Sequence, residues 1–112
     1  VIHMRILSFD HSASIELFNY QNTEQGQPAI ASDLGVQHFA FYVDDIQQAA
    51  QNFTEADGEL LTEPQGLLGD VENGVGDFLY CRTPWGMLLE LLSYDPNKLD
   101  YPEDAEAKRY TP

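Results

Sequence analysis

The sequence predicts an α+β chain of paired strand-rich modules, with the second module whole and the first represented by its closing hairpin. Three observations lead there. The run I-E-L-F-N-Y at Ile15–Tyr20 returns as L-E-L-L-S-Y at Leu89–Tyr94, an offset of 74 residues. Short segments of apolar and polar alternation flank that repeat on both sides, and one segment of helical spacing stands among them. The same offset lays Val1 on Val75 and Met4 on Phe78 without a gap, so two hairpins share one layout.

Taken in order, Val1 to Phe9 mixes β-branched, aromatic and long apolar residues and reads as a strand, with a polar turn at Asp10–Ser12. Ser14–Tyr20 is its partner, and residues 1–20 form the C-terminal hairpin of module one. Residues 21–34 are a polar linker broken by Gly26 and Pro28. The complete second module occupies 35–94 and opens with a strand at Val36–Val43. Asp45 follows as an N-cap, with Gln48 placed for a capping box and Ile46, Ala49, Ala50 and Phe53 at helical spacing. Gly58 ends that helix, and Glu59–Thr62 is a short strand. Glu63–Gly76, with Pro64 and glycines at 66, 69, 74 and 76, is a loop or flap; its glycines lack the strand-to-helix setting of a phosphate loop. Asp77–Thr83 and Met87–Tyr94 are strands joined by a turn at Pro84-Trp85-Gly86, with Trp85 as a packing residue, and 95–112 is an acidic tail over the surface or a partner.

The repeat sets a further expectation. The counterpart of the 36–43 strand would fall before Val1, so the chain begins inside its first module, about 40 residues late, without that module's initial strand, helix and following strand.

Bulk properties narrow the function. The chain has 112 residues, room for one core, and 43% of them are hydrophobic. A net charge of −14, from 19 acidic against 5 basic residues, repels phosphate backbones and anionic lipid, which argues against nucleic-acid and membrane partners. No apolar stretch approaches the length of a bilayer span and no basic leader opens the chain, so the expected location is cytoplasmic. The lone Cys81 fits a reducing compartment; it lies on the strand face opposite Tyr80 and is a poor catalytic thiol.

Three polar residues interrupt apolar strand faces: Glu16 among Phe18 and Tyr20, His38 among Val36 and Ala40, Glu90 among Leu88 and Leu92. Such groups must be paired, protonated, solvated in a cleft or bound to a metal, and two carboxylates with an imidazole suit Zn, Ni, Mn, Co or Fe(II). Singly, each is as readily a surface or satisfied core group. Together they point to one site, because the repeat sets Glu16 and Glu90 at equivalent positions. His3 and His11 lie off those positions and take surface or core roles.

The segments S-I-E-L-F-N-Y at Ser14–Tyr20, G-V-Q-H-F-A-F-Y-V-D-D-I at Gly35–Ile46 and L-Y-C-R-T-P-W-G-M-L-L-E-L at Leu79–Leu91 resemble the vicinal-oxygen-chelate superfamily, which includes glyoxalase I, extradiol dioxygenases and methylmalonyl-CoA epimerase. The resemblance implies paired βαβββ modules whose curled sheets enclose a metal-centred cleft. It implies metal ligands at Glu16, His38 and Glu90, with a fourth outside the chain. The glutamate at 16 resembles the glyoxalase I pattern, and with it a lyase or isomerase moving a proton through a metal-stabilised enediolate, Glu90 acting as ligand and base. The implied substrate is small and chelates the ion through neighbouring oxygens.

Two other members of the resemblance stay open. Tyr80, Thr83, Pro84, Gly86 and Glu90 have the spacing of an extradiol dioxygenase, where Tyr80 is an acid or hydrogen-bond donor rather than a cleft-lining aromatic, although Glu72, Asn73 and Gly74 stand where that family has a His. A metal-free binding or resistance protein is the third reading. Open strand edges imply a homodimer, with the site completed between chains or with this chain inactive alone.

Overall fold

The computed structural model describes residues 2–9, 13–67, 74–98, 104 and 106. Two antiparallel strands come first: β1 (Ile2–Ser8) pairs with β2 (Ser14–Tyr20) in a register that opposes Ile6 to Glu16 and Met4 to Phe18. Phe9 N–H donates to the Ala13 carbonyl at 2.9 Å and closes the hairpin, while the Asp10–Ser12 turn and His11 lie outside the described residues.

The second unit is a five-stranded mixed sheet. β3 (His38–Tyr42) runs parallel to β7 (Leu88–Tyr94), β7 runs antiparallel to β6 (Gly76–Arg82), and β4 (Glu59–Leu60) and β5 (Gln65–Gly66) both pair with β6. One helix, α1 (Ile46–Glu55), connects β3 to β4. The α+β class and the order strand, helix, three strands over 35–94 are therefore those expected, with one addition. The Glu63–Gly76 segment is not all loop: β5 continues β4 after a bulge at Leu61–Pro64, where Pro64 has no N–H to offer a ladder. Inside the bulge the Thr62 hydroxyl accepts the Tyr80 N–H at 3.1 Å and Leu61 N–H donates to the Tyr80 carbonyl at 2.9 Å. Two-residue pairings carry no periodic signal, which is why alternation missed β5.

Alternation divides the sheet cleanly. Odd-numbered residues, Leu79, Cys81 and Leu91 with Phe41 and Leu89, face α1 and meet its Ile46, Ala50 and Phe53, and this is the core. Even-numbered residues of β3, β6 and β7 form the opposite, open face. Fully burying such side chains stabilises the unit by about 1.5–3 kcal/mol each.

The ends of α1 follow the sequence with two refinements. The Asp45 carboxylate accepts the Gln48 N–H at 2.9 Å, but the Gln48 side chain donates to Asn52 at 2.9 Å instead of closing the capping box. At the other end Gly58 N–H reaches the Phe53 carbonyl and Asp57 N–H the Thr54 carbonyl, a Schellman pattern in which Asp57 takes the left-handed conformation (φ 64°). Gly58 is required for a different reason: a Cβ there would stand 2.2 Å from the Phe53 ring and 2.8 Å from its carbonyl oxygen.

The β6–β7 turn holds Thr83 O to Gly86 N–H at 2.9 Å and the Thr83 hydroxyl to Met87 N–H at 3.0 Å, with Gly86 at φ 93°. Pro28 of the linker packs so close on Gly86 that a Cβ would meet it at 2.4 Å. Trp85 does not pack as expected. It is 62% exposed, because the turn projects its indole outward from the sheet. After β7 the described chain makes one 3-10 turn at Pro96–Lys98.

Candidate active site on the open face of the sheet

His38, Tyr80 and Glu90 meet on the face of the sheet away from α1. The parallel register sets Ala40 opposite Glu90 and His38 opposite Leu88, so His38 and Glu90 are diagonal neighbours on the same face. His38 Nε2 stands 3.3 Å from Glu90 Oε2, with the two side chains 32% and 17% exposed. Half-buried, they are reachable from solvent on one side only.

Tyr80 closes the other flank. It opposes Glu90 across β6 and β7, and both of its backbone polar groups are turned away, to Leu61 and Thr62. The Tyr80–Glu90 pair is thus of the non-hydrogen-bonded type, in which the side chains approach most closely. The Tyr80 ring meets the His38 ring edge-to-face at 5.6 Å and the Phe78 ring in the same way at 5.8 Å. Those contacts fix the imidazole plane and leave its Nε2 directed at the carboxylate.

The alternation also exposes a residue that sequence reasoning passed over. Arg82 shares the open face with Tyr80 and Glu90, and its guanidinium donates to the Gly86 carbonyl at 2.9 Å. That bond holds the cation toward the turn, and the Glu90 carboxylate has His38 as its neighbour. Tyr42 and Tyr94, edge-to-face at 5.5 Å, wall the far end of the same face. Counting every second residue of each strand from His38 would have found all three.

Glu16 stands elsewhere. It lies on the exposed face of the first hairpin with Ile2, Met4, Ile6, Phe18 and Tyr20, a face expected to be covered and here open to solvent. Among the described residues no three His, Cys, Asp or Glu side chains gather closely enough to hold an ion within the chain. Cys81 is fully buried against α1, and burial pushes its thiol up to about 11. It plays no part in this face.

The profile of the Glyoxalase/Bleomycin resistance protein/Dioxygenase superfamily matches residues 4–91. The chain belongs to this superfamily. It is 33% identical over 103 residues to a 2-epi-5-epi-valiolone epimerase from an Actinomyces species, covering 88% of this chain and 54% of that protein. Among solved structures it resembles a glyoxalase family protein from Bacillus cereus, with a TM-score of 0.68 and 23% identity, covering 83% of this chain and 62% of that one. A glyoxalase/bleomycin resistance protein/dioxygenase domain from a Frankia species gives a TM-score of 0.59 at 17% identity, over 82% of this chain and 64% of that one. The chain therefore spans about half the length of the epimerase and under two thirds of these structures. Among the described residues no helix is long and apolar enough to cross a membrane.

Proposed function

We propose that the chain supplies the acid–base half of a metal-dependent isomerase or lyase acting on a small substrate with two neighbouring oxygens, one of them a carbonyl. The observation that carries this reading is the His38–Glu90 pair, a nitrogen and a carboxylate oxygen 3.3 Å apart beside the Tyr80 ring on one open face. The similarity to an epimerase, within a superfamily that also includes glyoxalases and dioxygenases, supports the isomerase branch.

The donor set fits two corners of a divalent metal site. Ligands about 2.0–2.1 Å from a tetrahedral ion lie roughly 3.3 Å apart, the separation found between His38 Nε2 and Glu90 Oε2. His38 and Glu90 would hold the ion, which would supply polarisation of the two substrate oxygens and so acidify the carbon-bound hydrogen between them. Zn, Ni, Mn, Co or Fe(II) all accept such ligands.

The chain's own groups do the rest. The Glu90 carboxylate removes the proton on the carbon next to the carbonyl, the C–H electron pair moving into the carbon–oxygen system. The same carboxylate returns the proton to the neighbouring carbon in a lyase or isomerase, or a donor on the opposite face delivers it in an epimerase. Tyr80, fixed at its backbone by Leu61 and Thr62, lies where its hydroxyl can donate to a substrate oxygen as charge develops.

Glu16 enters as the third ligand from a second copy. Its exposed apolar surroundings on the hairpin support a homodimer in which that face is covered and the carboxylate reaches the partner's imidazole and carboxylate. The test is metal content by mass spectrometry after reconstitution with each ion, on wild type and on Glu16→Ala, His38→Ala and Glu90→Ala. We expect one ion per site in wild type and loss in all three variants. Hemithioacetals under nitrogen and catechols in air then separate isomerase from dioxygenase, and a protein that stays metal-free throughout rejects the reading.

A further inference from the structure

A wide hollow among the described residues lies beside the His38–Glu90 pair and not over it. A cleft of about 1020 Å³ opens between the β1–β2 hairpin, the linker around Gln27, and the β6–β7 turn, and it reaches Leu88, the register partner of His38. None of the described residues lining it is Asp or Glu, in a chain with 19 acidic residues, and Arg5 and His3 of β1 are among them. The cleft is an acid-free enclave in an otherwise repellent field.

Arg5 is also uncommitted. Among the described residues Arg82 donates to the Gly86 carbonyl and Lys98 to the Gly74 carbonyl, whereas Arg5 has neither a hydrogen-bond nor an ion-pair partner. A guanidinium offers five donors in a planar fork that matches a carboxylate or a phosphate, and leaving it unpaired at a cleft wall wastes that geometry. The same cleft is lined by the amides of Asn19 and Gln27, each able to donate to and accept from a hydroxyl, by Gln37, whose amide nitrogen donates to the Asp33 and Gly35 carbonyls and leaves its oxygen to accept, and by the exposed Trp85.

We infer that this cleft binds a small hydroxylated organic anion, its carboxylate or phosphate on Arg5 and its hydroxyls on the amides of Asn19 and Gln27, with the Gln37 amide oxygen as a further acceptor. The inference deepens the function proposed above and rests on it in one respect: the bound anion's far end is the part presented toward His38 and Glu90. Anion capture itself needs only Arg5 and the cleft.

Trp85 is the single tryptophan of the chain and lines the cleft, so its fluorescence reports occupancy directly. The experiment titrates wild type, Arg5→Gln, Arg5→Lys and Glu90→Gln with four probes: gluconate, glucose 6-phosphate, the neutral polyol glucitol and the cation glucosamine. We expect both anions to shift the Trp85 emission saturably and glucitol and glucosamine not to do so. Arg5→Gln should weaken the anions about tenfold or more, the scale of one lost charge-assisted hydrogen bond, and Arg5→Lys should recover part of that loss. Preference for gluconate or for the phosphate ester tells which anion the fork takes. Glucitol binding as tightly as the anions, anion binding unchanged in Arg5→Gln, or no saturable response to either anion overturns the inference. Glu90→Gln should bind the anions as wild type does. Wild type that binds the anions but turns over no isomerase substrate removes only the proposed reaction, and wild type that is active but binds neither anion removes only the anion site.

Discussion

At the scale of single residues, the proposed function asks one carboxylate to do two things, and substitution separates them. Glu90→Gln keeps the size and the hydrogen-bonding of the side chain but cannot accept a proton from carbon. Turnover should fall about 10²- to 10⁴-fold, the usual contribution of a positioned base, with the thermal midpoint nearly unchanged. A loss below tenfold in a steady-state assay would remove Glu90 from that role. Cys81 makes a contrasting prediction. Its thiol is raised to about 11 by burial, while in the unfolded chain it titrates near 9.0. The unfolded state therefore sheds this proton first, and the stability held below pH 9 declines as pH rises from 9.0 toward about 11. The native thiol should resist aromatic disulfide reagents at pH 8 and react on denaturation, and Cys81→Ala should flatten the alkaline slope of the melting temperature. Both His38 and Glu90 were legible as polar breaks in apolar strands. Their contact was not, because a diagonal across a parallel pair depends on a register that no local pattern encodes.

At the scale of elements, α1 was the most legible part of the chain and its caps the most testable. Its start needed only Asp45 and its spacing only Ile46, Ala50 and Phe53, all local signals. Removing the cap with Asp45→Ala should cost about 1 kcal/mol in chemical denaturation, since the Gln48 N–H loses its acceptor. Gly58→Ala should cost about 1–3 kcal/mol, because the new methyl overlaps Phe53 and the helix end must shift. If Gly58→Ala proves neutral, the close approach to Phe53 is not real. β5 and the outward turn of Trp85 were not legible for a shared reason. Each is decided by what lies across the sheet or the linker, Phe78 and Asp77 for β5 and Pro28 against Gly86 for the turn, and not by the residues themselves. The bulge between β4 and β5 matters to function all the same, since it gives Tyr80 its two backbone anchors. Thr62→Val should remove one of them, leaving fold intact and lowering turnover more than it lowers stability.

At the scale of the whole molecule, the two units differ in what holds them. The five-stranded sheet buries one face under α1, whereas the hairpin has two strands, no helix, and Ile2, Met4, Ile6, Phe18 and Tyr20 all exposed. An isolated two-stranded hairpin is marginal in water, and its opening should be separable from that of the sheet. Amide hydrogen exchange should therefore be slowest in β6 and β7 and much faster in β1 and β2 at low protein concentration. The proposed homodimer turns this into a decisive measurement. If a second copy covers the hairpin's apolar face and draws Glu16 toward its own His38–Glu90 pair, protection in β1 and β2 must rise with protein concentration while β6 and β7 stay as they were, because mass action stabilises only what the partner touches. Adding the reconstituting metal should then shift that concentration dependence to lower protein, since the shared ion binds the pair and not the single chain. Hairpin exchange that is independent of concentration, with a monomeric mass by light scattering in the presence of metal, would exclude Glu16 as a ligand shared between copies and leave His38 and Glu90 as this chain's whole contribution.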